Sequence, residues 1–454
     1  MATVTAPAMT IAMATAMTVV MTVMTSIAVA VPLAPATETL PARTDAETLE
    51  HAWQRSARND HGLAATLADV ESARSAEQAA RAARWPSLTA EAGVTRFDTA
   101  PQFRFGALGT VLQAPIFPSD DYASANLQVT LPLYTGGRIS KEIAAAHQVT
   151  IGASEMERVA RSMLRMDVAE SYVGVLRALR LQRIAESSVT SLSAHAQDVQ
   201  RMFEHELVAR SDLLAARVAL ADAKQQRVRA ENDVAIAYAA YNRRLGEPLD
   251  RTPELADAIA VDVALAAEPI DALVERALSN RSEISALSAQ AEALALQSRS
   301  ARGALLPQFA LTGNYTYFEN EILDRKDFAS IGVGVTWSLF DGGQVRNRSA
   351  ALRSASTAAR RRLDDLRARI ALEVRQAWLD VREARARIDA AREAAAQSDE
   401  NLRITRKLYR AELGTNTQVL DAVALQVAAR NNRDNALLDE SVALLRLARA
   451  IGEL

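Results

Sequence analysis

The 454-residue chain contains no cysteine, and it has few aromatic residues, glycines and prolines. The absence of cysteine excludes a disulfide framework, a thiolate zinc site, a cysteine nucleophile and a lipid-bearing cysteine. With 17 glycines, 13 prolines, 5% aromatic and 49% apolar residues, the composition favours long helices packed through small side chains. The 52 basic and 55 acidic residues nearly balance, which gives no indication of nucleic-acid binding. The five histidines are scattered, so a histidine metal site is improbable.

The N-terminus has no charged side chain before Glu38. An apolar and threonine-rich stretch runs from Ile11 to Leu33, and small-residue sites that suit cleavage lie at 28–30 and 34–36. This pattern predicts a secretory signal peptide over 1–36, although the usual basic region is missing. An uncleaved anchor helix is the alternative, since about 20 apolar residues can span a bilayer.

The rest of the chain contains an internal duplication. Residues 136–246 match 342–452 without a gap, and the pair Gly136-Gly137 falls on Gly342-Gly343. A second register, 15 positions longer, aligns Pro86 with Pro307. The sequence therefore predicts a first repeat over 45–246, a linker over 247–269 and a second repeat over 270–454.

Two long segments lack proline, which breaks helix interiors. They predict long helical hairpins at about 138–245 and 344–450. Apolar residues spaced three and four apart, as from Leu181 through His195 to Met202, are typical of a coiled-coil seam. An ordinary soluble helical bundle is the alternative, although helices of this length exceed the usual globular range.

Four segments alternate with a period of two and predict strands at about 87–97, 123–134, 307–318 and 329–340. The alternation of apolar with small or polar residues over about ten positions is typical of transmembrane β-strands. An antiparallel sheet on a soluble core is the alternative. Because a membrane barrel has at least about eight strands, one chain would have to share its barrel with others.

The order of these segments resembles the TolC-like outer-membrane efflux protein family over about 45–454. The resemblance rests on LPLYTGGR (131–138), SLFDGGQ (338–344), the prolines before the strands, and the turns FEHELVARSDLLAAR (203–217) and YRAELGTNTQVLDA (409–422). It implies a mainly α fold with a pair of membrane β-hairpins. Three chains would form a twelve-stranded β-barrel continuous with a twelve-helix periplasmic α-barrel, and 247–269 would lie in the belt around its middle.

The resemblance also implies a function. The homotrimer would lie in the outer-membrane lipid of a Gram-negative bacterium and dock onto a periplasmic adaptor and an inner-membrane pump. It would pass small molecules, metal ions or proteins outward in efflux or type I secretion, without catalysis and without a cofactor. The alternative is a periplasmic coiled-coil scaffold or adaptor without a pore, and an enzyme is a distant third.

Three groups of candidate site residues follow from the resemblance. Glycines where a strand turns into a helix would be hinges: Gly136, Gly137, Gly342 and Gly343. The adaptor-facing tip would consist of Glu206, Leu207, Val208, Glu412, Leu413 and Gly414, with the two glutamates at positions where the family usually has glycine. The pore aperture would be formed by Asp421, Gln418 and Asp212. Favourable placement of acids near a helix N-terminus is the alternative explanation for Asp212 and Asp421.

Overall fold

The computed structural model describes residues 46–99, 101–107, 110–115, 117, 121–259, 261, 263–319 and 324–454. The predicted signal peptide lies outside these residues. The first half comprises α1 (Leu49–Asn59), α2 (His61–Ala82), β1 (Ser87–Arg96), β2 (Gln102–Ala107), β3 (Thr110–Pro115), β4 (Asp121–Tyr134), α3 (Arg138–Glu204) and α4 (Arg210–Leu245). The second half comprises α5 (Ile270–Asn280), α6 (Ser282–Gly303), β5 (Gln308–Phe318), β6 (Asp327–Thr336), α7 (Gln344–Arg410) and α8 (Asn416–Ala450).

The helices form a wall one layer thick. Helices α3 and α7 have 67 residues each, which corresponds to about 100 Å of uninterrupted helix. On one side, α3 packs against α2 and α4, and on the other side against α6 and α8. Helix α7 packs against α6 and α8 as well. The wall is therefore four helices wide, with α2 and α4 at one edge and α7 at the opposite edge.

The main sheet has the order β1-β4-β5-β6, and all of its strand pairs are antiparallel. Strands β2 and β3 form a separate hairpin that the sequence analysis does not predict. The strand predicted to reach Phe340 ends at Thr336, which pairs with Gln308 at the start of β5. Pro307 precedes Gln308 and has no N–H group. It therefore cannot donate the next hydrogen bond of the β-ladder.

Buried apolar residues form two clusters around the middle of the wall and a third near the turns between the long helices. The linker after α4 packs on the first of these clusters. The hydroxyl of buried Tyr172 lies 2.8 Å from the carbonyl oxygen of Glu47 and 2.6 Å from that of Ala256, and Tyr238 donates to the carbonyl oxygen of Pro253. These bonds attach the linker to α3 and α4 at mid-height.

The two halves also repeat an ion pair at the same place in the fold. Arg55 in α1 pairs with Glu247 after α4, and Arg276 in α5 pairs with Glu453 after α8 at 3.2 Å. Among the described residues, no helix combines the length and the hydropathy needed to cross a membrane.

Candidate functional site

The four paired strands share one polar face and one apolar face. Side chains alternate along a strand, and the register of each pair keeps residues of the same kind on the same side. The polar face includes Thr89, Glu91, Asn126, Gln128, Thr312, Asn314, Ser330 and Gly332. The apolar face includes Leu88, Val94, Leu127, Val129, Leu311, Tyr315, Val333 and Val335.

The apolar face is not covered by any other described part of the chain. Val94 is 71% exposed, Val333 63% and Ile331 79%. Contiguous apolar surface of this kind is rare on a soluble monomer and marks contact with protein or membrane. A sheet that is apolar on one side and polar on the other, with neither side covered, can separate lipid from water.

Both edges of the chain are also unpaired. Strands β1 and β6 flank the sheet, and each leaves one row of backbone donors and acceptors without a strand partner in the described chain. The edge helices expose large apolar side chains, which are Leu214, Val218, Val228 and Ile236 on α4 and Leu372, Leu379, Ile404 and Leu408 on α7. One chain therefore has two edges, each formed by an unpaired strand and a helix with exposed apolar residues, and each edge can bind another chain.

The predicted hinge glycines lie where each strand turns into a long helix, and all four have positive φ. The angles are 61° at Gly136, 78° at Gly137, 66° at Gly342 and 85° at Gly343, a region that side chains disfavour. At Gly136 the backbone is also tightly enclosed, because an added Cβ would lie 2.4 Å from the carbonyl oxygen of Gly303. The first hinge therefore has a steric requirement for glycine in addition to the conformational one.

A side-chain oxygen caps the helix after each hinge. The Asp341 carboxylate accepts the N–H groups of Gly343 and Val345, both at 2.8 Å, and these bonds lower the pKa of Asp341. In the first repeat Thr135 occupies the matching position, and its hydroxyl accepts the N–H of Ile139 at 3.4 Å. The ionised carboxylate at the N-terminus of α7 is favoured by the helix dipole as well.

At the predicted tip, both long helices end in the same Schellman turn. Glu206 has φ 61° and Glu412 has φ 62°, and among the described residues these two are the only ones other than glycine with positive φ. The N–H of Leu207 donates to the carbonyl oxygen of Met202 at 2.9 Å, and that of Leu413 donates to Leu408 at 2.9 Å. The turn thus needs a left-handed residue where each glutamate lies, which is the position that glycine usually fills.

The remaining tip residues surround these two turns. Leu207 and Leu413 point into solvent, and Val208 is half-buried against the third apolar cluster. Gly414 does not have a positive φ. It is closely packed, since an added Cβ would be 3.3 Å from Oε1 of Gln418. The left-handed residue of the second turn is thus Glu412 and not Gly414.

Replacing both tip glutamates with glycine is expected to stabilise the protein. A side chain in the left-handed region costs about 1–2 kcal/mol. Glycine avoids this cost, but its greater freedom in the unfolded chain destabilises the folded protein by about 0.5–1 kcal/mol. Glu206→Gly and Glu412→Gly should each raise the free energy of unfolding by about 1 kcal/mol, measured by denaturant titration. Glu393→Gly, on the exposed face of α7, is the matched control and should lower it by about 1 kcal/mol. A loss of stability in both tip variants would contradict the strain argument.

The three predicted aperture residues have different environments. Asp421 is exposed and makes no side-chain hydrogen bond or ion pair with the described residues, and Asp212 is half-buried in the first turn of α4. The Gln418 side chain takes part in a capping box, because its Oε1 accepts the N–H of Thr415 at 2.9 Å while the Thr415 hydroxyl accepts the N–H of Gln418 at 3.3 Å. The structure thus shows a capping role for Gln418, and its place at an aperture stays a prediction.

Sequence reasoning missed a buried polar joint next to the tip. His195 of α3 lies 2.8 Å from the side-chain oxygen of Asn416, the first residue of α8, and both are 3% exposed. The signal was a histidine in a helix seam whose other positions from Leu181 to Met202 are apolar apart from Ser188. Its partner is 221 residues away, so helical periodicity could not identify it.

A family model described as outer membrane efflux protein matches residues 52–247 and 273–453. The chain belongs to the outer membrane efflux protein family. This confirms the resemblance inferred from the repeated strand and helix pattern.

Two relatives align over most of this efflux-family chain. It is 23% identical over 430 residues to the outer membrane protein TolC of Vibrio cholerae, which covers 92% of this chain and 94% of TolC. It is 25% identical over 416 residues to the outer membrane protein OprJ of Pseudomonas aeruginosa, which covers 87% of this chain and 81% of OprJ.

Solved structures show the same fold. The outer membrane protein VceC from Vibrio cholerae has a TM-score of 0.75 at 18% identity, with 89% of this chain and 96% of VceC covered. The CusC structure likewise has a TM-score of 0.75 at 18% identity, with 89% and 92% covered. The prediction of a mainly helical chain with a small sheet is confirmed by these structures.

Proposed function

We propose that this efflux-family chain is one subunit of a homotrimeric duct that crosses the outer membrane and extends into the periplasm. The observation that carries the proposal is the four-stranded sheet, whose apolar face has exposed residues on every strand and no cover from the described residues, while its polar face lies in register on the other side. The apolar face would contact lipid, and the polar face would line the channel. A periplasmic scaffold without a pore gives no reason for a sheet with two such faces.

Closure of the duct requires more than one chain. Lipid offers no hydrogen bonds, so a spanning sheet cannot keep unpaired edges and must close into a barrel. Four strands are too few, because membrane barrels have at least about eight. Three chains, the number that the family resemblance implies, would bring together twelve strands and a helical wall three times as wide.

The duplication predicts how neighbouring chains pair. Within the chain, β4 of the first repeat pairs with β5 of the second, and Leu127 lies opposite Tyr315. If the same contact continues between chains, β6 would pair with β1 of the next chain. Val333 would then lie opposite Val94 of the next chain, and the apolar faces would stay aligned.

Disulfide trapping tests this arrangement, and the absence of native cysteine makes it straightforward. We expect Val333→Cys together with Val94→Cys to give covalent trimers on a non-reducing gel. Within one chain these positions are three strands apart and about eight residues out of register, so they lie at least about 25 Å apart, which a disulfide cannot bridge. Val333→Cys with Ala90→Cys is the control on the same face, and its offset of about 13 Å should prevent the bond. Oxidised protein that stays monomeric with the first pair would overturn the proposed closure.

The membership of this family supports a proposal for the kind of partner and the kind of cargo. The exposed tip leucines, Leu207 and Leu413, would face a periplasmic adaptor that connects the duct to an inner-membrane pump. Among relatives, BepC of Brucella suis is named an outer membrane efflux protein and AprF of Pseudomonas aeruginosa an alkaline protease secretion protein, at 23% and 24% identity. We therefore propose outward passage of small molecules, metal ions or proteins, with both efflux and secretion as candidate systems.

We propose that Asp421 lines the narrow periplasmic end of this duct. Three exposed carboxylates near one axis would attract cations, and each contributes about 1 kcal/mol at 4 Å even in water. Asp421→Ala should therefore raise single-channel conductance in planar bilayers and weaken block by polyvalent cations by about tenfold to a hundredfold. Asp389→Ala, which removes an exposed acid from the side of α7, should change neither quantity. Unchanged block in the Asp421 variant would leave this carboxylate with its helix-dipole role alone.

A further inference from the structure

A buried contact beside the tip connects three helices through His195 and Asn416. The Nε2 atom of His195 in α3 lies 2.8 Å from Oδ1 of Asn416 in α8, and the Asn416 amide nitrogen donates to the carbonyl oxygen of Asp212 in α4 at 3.1 Å. These contacts attach the first helical hairpin to the second. They lie one turn or less from the ends of α4 and α8, where the predicted tip begins.

The contacts also determine the protonation pattern of the imidazole. Because the Asn416 amide nitrogen is used by Asp212, the Asn416 oxygen faces the ring and must accept, so Nε2 carries the hydrogen. A neutral imidazole satisfies this arrangement. The ring packs edge-on against Tyr409 of α7, with centroids 5.1 Å apart, and the hydroxyl of buried Tyr409 has no hydrogen-bond partner among the described residues.

The charged groups around His195 disfavour a second proton on its ring. Helix α7 brings Arg406 and Arg410 to the joint, and α3 contributes Asp198. Asp198 is already engaged, since it pairs with Arg410 at 2.9 Å and also with Arg201 on its own helix. Helices α4 and α8 supply only the Asp212 carbonyl and the Asn416 amide to this network, although the Asp212 carboxylate contributes to the raised pKa of Tyr409.

The pKa values of the joint agree with this geometry. Burial lowers the pKa of His195 below its ordinary value, against the smaller opposing effect of the bond to Asn416. Burial, together with the nearby Arg410, also lowers the pKa of Arg406. A proton on His195 would therefore place a third positive charge, with little access to solvent, beside two arginines and one shared carboxylate.

We propose that His195 is a proton-operated latch that holds the two helical hairpins together at the tip when neutral and releases them when protonated. The latch makes the periplasmic end of the duct responsive to acid. Its consequence for transport rests on the proposed function, whereas the release of the hairpins can be measured without it.

The direction of the pH dependence follows from proton linkage. In the released joint the imidazole is solvated and titrates near its ordinary pKa of about 6.5, whereas the closed joint binds the proton more weakly. The closed form is therefore fully favoured above about pH 6.5 and loses stability as the pH falls below it. One titrating group changes the ratio of closed to released forms by up to about tenfold per pH unit.

Spin labels on the tips test the latch in the full-length protein. Leu207→Cys and Leu413→Cys place labels on two exposed positions, one on each hairpin, in a chain without other cysteines. Pulsed electron paramagnetic resonance between pH 7.5 and 5.0 should show the label distances growing longer below about pH 6.5. His195→Gln, which can still donate to Asn416 but never becomes charged, should keep the short distances throughout. Asn416→Ala should show long distances at both pH values.

His205 provides the matched control, because it lies exposed at the same tip. His205→Gln should retain the wild-type response to pH. The latch is wrong if the wild-type distances do not change with pH, if His195→Gln responds as the wild type does, or if His205→Gln abolishes the response.

A conductance series on the same variants separates the latch from the proposed function. Wild-type protein in planar bilayers should conduct more at pH 5.5 than at pH 7.5, and His195→Gln should conduct equally at both. Label distances that respond to pH in a protein without conductance would contradict the duct and leave the latch standing. A conducting protein whose label distances and conductance ignore both pH and His195→Gln would contradict the latch and leave the duct standing.

Discussion

Val333→Arg is expected to abolish assembly of the proposed outer-membrane duct. Val333 lies in the middle of β6 on the uncovered apolar face of the sheet. An arginine that faces lipid near the middle of a bilayer costs about 2–4 kcal/mol in a β-barrel, and a trimer would incur this cost three times. Membrane fractionation and native gels should therefore show little trimer in the outer membrane and the bulk of the protein aggregated or degraded.

Ser330→Arg is the matched control for this prediction. Ser330 lies three residues away on the same strand but on the polar face, opposite Asn314. An arginine there would extend into the proposed water-filled channel, so the proposed trimer should assemble in normal amounts and show altered conductance. Equal assembly of both variants would mean that the apolar face of the sheet does not contact lipid.

Much of the fold could be predicted because two physical signals dominate the sequence. Long stretches without proline correspond to α3 and α7, and the period of two corresponds to the strands of the main sheet. The β2–β3 hairpin was missed because its strands have only six residues each and Pro101, Gly106 and Pro115 lie beside or within them, a pattern that predicts a connection. The comparison of the two repeats placed 15 additional residues of the first repeat between Pro86 and Gly136, but it did not indicate their structure.

The site was less predictable, because its key features depend on contacts between distant residues. The duplication identified Glu206 and Glu412 as matching turn residues, but only the backbone shows that both adopt positive φ. The capping role of Gln418 could have been inferred from the local pattern of Thr415 followed three residues later by Gln418. The bond between His195 and Asn416 depends on the packing of separate helices, which no local pattern reports.

Gly136→Ala is expected to destabilise the protein far more than the same change at the next residue. Both Gly136 and Gly137 have positive φ, so an alanine at either position should cost about 1–2 kcal/mol in backbone strain. At Gly136 the added Cβ would also lie 2.4 Å from the carbonyl oxygen of Gly303 and 2.8 Å from Cβ of Leu306. Overpacking against atoms that cannot move typically adds about 1–3 kcal/mol. The end of α6 would therefore have to separate from the start of α3.

Gly137→Ala is the internal control, because an added Cβ there meets no atom of the described residues within 4 Å. Denaturant titration of the two variants should show a difference of about 1–3 kcal/mol in the free energy of unfolding, with Gly136→Ala the weaker protein. Gly303→Ala should also destabilise the protein, although Gly303 has no positive φ, since its Cβ would lie 2.8 Å from the carbonyl oxygen of Gly136. If Gly136→Ala and Gly137→Ala lose the same amount and Gly303→Ala loses none, the strand-to-helix junction is held by backbone conformation alone. The predicted larger loss at Gly136 and Gly303 would instead show that the hinge depends on direct contact between two glycine backbones.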